Sequence, residues 1–439
     1  MSDVVDVERH KRALTFVPRA FAGKVVPPVI AYVESDDRFH VPRNYGVRAF
    51  GRPTTSLCTL GEAMNGEAVF VGTLNDLQRD ACSASLPVLH DTENGGSTMI
   101  VLPCGSGKTV IALAIATSLR RRTCVFVHKS FLMDQWEERV RAFVPSARVG
   151  RIQGSICDVH DKDIVIAMIQ SVATRDYDVL DTFGMAIFDE AHHMAAPVFF
   201  RVVTKIRCAH VLSVTATDVR PDGLTQLLRD ALGDVSYRAT ARETPQQCTV
   251  EYVGCMHGIR DVVKRDGSVC TFAIDSWIAK CRRRTCDLVG IIQSAHGEGR
   301  HILVLSSRCS HLTTLRDQLL DHGVSADNVS IFTGATRRKD REQCLTCNIV
   351  LSTYQMAKEG LDVKTLDTLV LATPVCNVEQ AVGRIQRPCD TKKAPTVYDV
   401  VDTQSMKCMA LWSNRKRFYT SKGYNIKTSE YNQSAQALE

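Results

Sequence analysis

The chain has 439 residues, 44% of them hydrophobic and 23% charged, and a formal net charge of +6, a mild excess compatible with a nucleic-acid partner without demanding one. That length allows two or three domains with ample core, and the composition reads as an ordinary soluble globular protein. The longest apolar runs, such as Val110 to Ala116, fall well short of the ~18 residues that cross a bilayer, and Met1-Ser2-Asp3 does not open an export signal, so an intracellular protein without membrane contact is expected.

Residues 1–68 mix short apolar runs (Val25 to Val33, Phe39 to Val41) with Pro27, Pro28, Pro42, Gly46 and Gly51, which predicts a small strand-rich N-terminal accessory domain. Its Arg38, Arg43, Arg48 and Arg52 either follow a phosphate backbone or are scattered solvated side chains. Over 69–240, apolar runs at Met99 to Leu102, Cys124 to Val127, Ile164 to Met168, Met185 to Phe188 and Val211 to Val214 alternate with helical patterns. Such alternation implies crossover connections and a parallel sheet covered on both faces. Residues 241–285 read as a linker or insertion, with Arg282-Arg283-Arg284 either touching nucleic acid or lying on a solvated helix face. A second strand set follows over 286–439: Ile302 to Leu305, Val329 to Phe332, Ile349 to Leu351, Thr368 to Leu371 and Thr396 to Val401. The expected fold class is α/β, two tandem parallel-sheet lobes behind the small N-terminal domain.

Seventeen cysteines are scattered along the chain. Cys344 and Cys347 form one CxxC pair, and Cys255, His257, Cys270, Cys281 and Cys286 crowd between the two lobes. Zinc sites usually show two regularly spaced pairs. The cysteines are therefore expected to be mostly buried apolar residues without metal.

The strand ending at Leu102 runs into Pro103-Cys104-Gly105-Ser106-Gly107-Lys108-Thr109. Gly105 and Gly107 permit the backbone angles and close approach of a phosphate-wrapping loop, and the helix that follows presents its positive end to an anion. Lys108 is placed to reach β- and γ-phosphates and Thr109 to ligate Mg²⁺, which makes ATP with Mg²⁺ the expected ligand. The strict pattern has Gly where Leu102 stands. About 80 residues on, Phe188 ends a buried strand and Asp189-Glu190-Ala191-His192 follows, at the strand edge where parallel sheets carry ligand chemistry. Asp189 would hold Mg²⁺ through water, and Glu190 would orient and deprotonate the water that attacks the γ-phosphate. Ser213-Val214-Thr215 ends another buried strand, its hydroxyls either bridging the lobes or capping the next helix. Gln380, Arg384 and Arg387 are spaced so that both guanidiniums can project from one helix face into a cleft.

The order of these motifs, from about residue 74 to 425, resembles the superfamily 2 helicases and translocases, whose two lobes are RecA-like. The resemblance implies that Gln78 reads adenine, that His192, Ser213 and Thr215 couple the lobes, and that Arg384 and Arg387 act as fingers on the γ-phosphate. It places Gly360 and Asp362 at the nucleotide. Lys129, Gly154, Gln170, Ser171, Arg308, Gly334 and Thr353 fall where the family holds its strand. Asp218 stands where many relatives have Pro. Ser306 to Leu312, Gly334 with Lys339, Thr353 to Gly360 and Val378-Glu379-Gln380 look like the helicases of large nucleocytoplasmic DNA viruses, with the related phage recombination and excision-repair branches nearby. That group implies 3′-to-5′ movement on single-stranded or branched DNA by a monomer, in viral transcription, recombination or repair. An RNA–DNA hybrid or a polymerase is a further partner. The alternatives are a transcript-release ATPase with little unwinding, an ATP-switched binding protein, and an RNA helicase.

Overall fold

The computed structural model describes residues 6–18, 27–35, 38–90, 96–103, 105–190, 196–220, 222–239, 248–359, 363–387, 389 and 392–429. The chain divides into two units, Met1–Ala241 and Arg242–Glu439. No helix among the described residues is long and apolar enough to cross a membrane.

The first unit opens with two short antiparallel ladders, β1 (Thr15–Phe16) with β2 (Val29–Ile30) and β3 (Val33–Ser35) with β4 (Arg38–His40). Two helices, Val7–Ala13 and Arg43–Phe50, accompany them. This segment packs onto the rest of its unit: Leu14, Val29 and Ala31 bury against Leu224 and Leu227. The Arg43 guanidinium donates to Ser97 Oγ at 2.8 Å and to the Cys208 carbonyl at 3.0 Å, and Arg48 pairs with the buried Asp230. Two of the four arginines read as phosphate-tracking or solvated thus fasten the segment to the rest of its unit, Arg43 through a hydroxyl and a carbonyl and Arg48 through a buried carboxylate in helix Thr225–Leu232.

That sheet has eight strands: β5 (Ser97–Val101), β6 (Thr123–Val127), β7 (Val149–Gln153), β8 (Ile156–Asp158), β9 (Ile164–Met168), β10 (Met185–Asp189), β11 (His210–Thr215) and β12 (Asp234–Arg238). Their spatial order is β12-β5-β11-β10-β6-β9-β7-β8, all parallel except the β7–β8 hairpin. Every residue of β5, β6, β9, β10 and β11 is buried. Strands covered by crossover helices on both faces have no polar side to show, which explains their unbroken apolar runs.

The second unit carries a seven-stranded, wholly parallel sheet: β13 (Thr249–Cys255), β14 (Ile302–Ser306), β15 (Val329–Phe332), β16 (Ile349–Thr353), β17 (Thr368–Leu371), β18 (Thr396–Asp402) and β19 (Asn425–Ser429), in the order β15-β16-β14-β17-β18-β13-β19. The stretch read as a linker therefore contributes β13 to the interior of this sheet, and helices Thr271–Lys280 and Arg282–Gly297 to its packing. Arg284 of the basic triplet is fully buried, with Nε 3.0 Å from Asp402 Oδ1 and Nη2 3.3 Å from the Val400 carbonyl.

Candidate active site

In the first sheet, β11 lies between β5 and β10, and its register sets Thr215 beside Val101 and Val214 beside Asp189. The loop after β5, the hydroxyl residues ending β11 and the acidic pair ending β10 consequently emerge side by side. Main-chain bonds fix them: Leu102 N–H donates to the Thr215 carbonyl at 2.9 Å and Glu190 N–H to the Val214 carbonyl at 2.9 Å. Parallel sheets present ligand chemistry at this carboxyl edge.

Gly105 and Gly107 both have positive φ, +83° and +81°. A Cβ on Gly107 would sit 2.3 Å from Gln78 Nε2, so only glycine allows the loop to lie against that side chain. Helix Lys108–Leu119 begins immediately after, with no side chain capping its N-terminus. Its uncapped first-turn N–H groups and positive dipole end suit an anion such as a phosphate chain. Pro103 is exposed, Ser106 and Thr109 partly so, while Cys104 lies outside the described residues. Gln78 occupies the third position of helix Asp76–Leu89, where it completes a capping box with Asn75. Its Oε1 accepts from Asn75 N–H at 3.0 Å and its Nε2 donates to the Ser106 carbonyl at 3.3 Å, tying this helix to the loop.

Lys108 Nζ lies 2.5 Å from Glu190 Oε1, both side chains largely buried. Glu190 has φ +50°, the left-handed region that side chains seldom adopt, and its Oε2 accepts from Ala216 N–H at 3.4 Å. Backbone strain of about 1 kcal/mol or more persists only where the surroundings enforce it, and such positions cluster at active sites. Asp189 is buried, and its Oδ2 accepts from Trp136 Nε1 at 2.8 Å. Burial pushes the Asp189 carboxyl pKa up, reinforced by the neighbouring Glu190, while Lys108 opposes the rise. A divalent cation would favour the charged form and reverse that burial effect. Ser213 Oγ is buried with no hydrogen-bond partner among the described residues, and Thr215 Oγ1 donates to the Thr217 carbonyl at 2.8 Å. His192 lies outside the described residues.

Trp136 was not singled out as a site residue. Seven residues after Lys129, it is buried in helix Ser130–Phe143 and bonded to Asp189. Asp218, in place of the usual proline, accepts from Arg238 at 2.7 Å and Arg229 at 3.2 Å. The bond from Arg238 leads in holding its pKa below the ordinary carboxylate value.

A second group gathers at the carboxyl ends of β6, β7 and β9. Lys129 precedes helix Ser130–Phe143, Gln170 Nε2 donates to the His128 carbonyl at 3.0 Å, and Gly154, at φ +60°, donates its N–H to Ser171 Oγ at 2.8 Å. Arg175 Nη1 and Tyr177 Oη both donate to the Gly154 carbonyl, at 2.6 and 3.1 Å, two members of the patch that motif reading missed.

In the second unit, Arg308, Gly334 and Thr353 follow or end the neighbouring strands β14, β15 and β16. Arg308 stacks on the exposed Phe272, its guanidinium carbon 3.5 Å from the ring centroid, and Nη2 donates to the Phe272 carbonyl at 2.8 Å. Phe272 was missed because it lies in the supposed linker. Helix Glu379–Ile385 carries Gln380 and Arg384 but ends before Arg387, so the two arginines do not share one helix face. Arg384 is buried with Nε donating to the Ala357 carbonyl at 2.9 Å, and Gln380 Oε1 is buried without a partner among the described residues. Gly360 and Asp362 lie outside the described residues.

Residues 72–220 match the family described as type III restriction enzyme, res subunit. A protein of Acanthamoeba polyphaga mimivirus named as an ATP-dependent RNA helicase is 29% identical over 408 residues, covering 90% of this chain and 77% of its own. One of African swine fever virus with the same name is 26% identical over 75% of this chain and 70% of its own. A helicase-named protein of Invertebrate iridescent virus 6 is 25% identical over 82% and 83%. Among solved structures, yeast Dbp5 bound to RNA and ADP–BeF3 superposes with a TM-score of 0.58 at 13% identity, covering 82% of this chain and 90% of that one, a likeness of fold.

Proposed function

We propose that the chain is a superfamily 2 helicase or translocase, stimulated by DNA and coupling ATP hydrolysis to movement along one strand; the family match over residues 72–220 and the helicase-named viral relatives support this reading. The observation that supports this most is the meeting of Lys108, Thr215, Asp189 and Glu190 at the ends of three adjacent strands. Lys108 binds the β- and γ-phosphates, and in doing so exchanges its contact with Glu190. That exchange releases the Glu190 carboxylate to accept a proton from the attacking water. Thr109 and Asp189 are the residues that would hold Mg²⁺, which when bound neutralises phosphate charge. Arg384 and Arg387 stabilise the charge that develops on the γ-phosphate. The strand is held by backbone contacts from Lys129, Gly154, Gln170 and Ser171 in one unit and Arg308, Gly334 and Thr353 in the other, which makes binding sequence-independent.

The names of the mimivirus and African swine fever virus relatives favour a second reading, RNA as the strand. Steady-state ATPase rates with single-stranded DNA, duplex, fork and RNA side by side separate the two. The highest kcat on single-stranded or forked DNA is expected. A higher kcat on RNA would transfer the assignment to RNA, and no stimulation by either would remove the motor. Lys108→Ala should weaken ATP binding about 10- to 100-fold, since a charge-assisted contact contributes about 1.5–3 kcal/mol; fluorescent-nucleotide titration measures this, and an unchanged Kd would refute the phosphate role.

A further inference from the structure

We infer that Cys255, His257 and Asp287 form a zinc site in the second unit, separate from the nucleotide chemistry. One ligand atom from each residue lies within 4.8 Å of the other two, and His257 Nε2 is 2.7 Å from Asp287 Oδ2. The Cys255 and His257 side chains are largely buried, and Asp287 is about a quarter exposed. Tetrahedral zinc at ~2.0 Å from nitrogen and oxygen and ~2.3 Å from sulfur sets its ligands about 3.3–3.6 Å apart. Movements of roughly an ångström would convert the present arrangement into that one. A set of one thiol, one imidazole and one carboxylate suits zinc, whereas Mg²⁺ and Ca²⁺ select oxygen donors alone. Binding displaces the thiol proton to solvent.

The location explains what such an ion would do. Cys255 ends β13, and the chain then makes an excursion through a turn closed by the Val263–Val269 bridge and through helix Thr271–Lys280, before returning in helix Arg282–Gly297, which carries Asp287. The excursion's apolar cluster is small: Ile259, Ile274 and Ile278 with Cys408, and Val269 packed against them. Met256, Val263 and Phe272 remain more than half exposed. The segment's apolar anchoring is therefore small, supplemented by bonds from Ser405 and Lys407 to Asp261 and from Gly258 N–H to Gln404, and small units with little core commonly use metal. The three ligands join its departing and returning ends, so zinc would staple the base of the element on which Arg308 rests.

The test is elemental analysis of the purified full-length chain after reconstitution with zinc chloride and exhaustive dialysis, a readout independent of the proposed ATPase. On the order of one zinc per chain is expected, with loss of at least nine-tenths of it in both Cys255→Ser and Asp287→Asn, and none lost in Cys344→Ser. Asp287→Asn keeps the side chain's shape and hydrogen bond to His257, so it guards against misfolding of the Cys255 variant. Cobalt substitution should give a thiolate-to-cobalt absorption band that vanishes in Cys255→Ser. Less than a tenth of an equivalent in the wild type, or full retention in either ligand variant, would leave His257 and Asp287 as a simple hydrogen-bonded pair and overturn the site.

Discussion

Glu190→Gln is expected to lower kcat for ATP by about 10²- to 10⁴-fold, the range that a positioned general base contributes, while ATP binding stays intact or tightens. The second half follows from the ion pair. Lys108 now shares its charge with Glu190 at 2.5 Å; a neutral amide competes less well with phosphate for that ammonium group. The substitution preserves shape and can still accept from Ala216 N–H, so the strained backbone at φ +50° keeps its support. Single-turnover hydrolysis with a parallel nucleotide titration checks both halves, and the variant should trap an ATP-bound complex on the strand. Turnover within tenfold of wild type would take the base away from Glu190.

Asp402→Ala is expected to destabilise the second unit by about 3–5 kcal/mol, because it leaves the Arg284 guanidinium buried without its counter-charge. Arg284 is fully buried, and both carboxylate oxygens of Asp402 accept from its Nε, at 3.0 and 3.1 Å. The carbonyls of Ala372 and Val400 satisfy the remaining fork but cannot neutralise it. Replacing both partners, Arg284→Met with Asp402→Leu, should restore most of the loss, since neither charge of this pair is then left buried without its partner. Urea unfolding in a Trp136→Phe background reads the second unit, whose Trp277 and Trp412 then supply the fluorescence. A single-variant cost below about 1 kcal/mol would mean that water reaches the pair.

What the amino-acid order revealed of this architecture depended on how completely each strand is covered. Residues 97–101, 123–127, 164–168 and 185–189 are buried on both faces and stand out as apolar runs. By contrast, β13 reads Thr-Val-Glu-Tyr-Val-Gly-Cys with partly exposed positions, so it passed for linker, and β7, with Gly150 and Arg151, left no apolar run. The loop around Lys108 and the acidic pair were legible because local backbone chemistry demands those residue types. The bond from Trp136 to Asp189 and the burial of Arg284 by Asp402 span 53 and 118 positions, and no spacing rule connects them. Likewise, the expectation that cysteines are mostly buried holds for six of the sixteen described. Proximity across the fold decided the rest.

The placement of β13 between β18 and β19 has a consequence for the chain's connectivity. The first and last strands of the second unit are neighbours, joined in parallel from Thr249–Asn425 to Val253–Ser429. Because the two strands are parallel, the chain enters this half at the amino edge of the sheet and its last strand ends at the carboxyl edge one lane over, so any linker closing the two ends must run the length of a strand. Truncation ahead of residue 425 would instead bare one flank of β13, offering a row of unpaired amides and carbonyls to any passing strand.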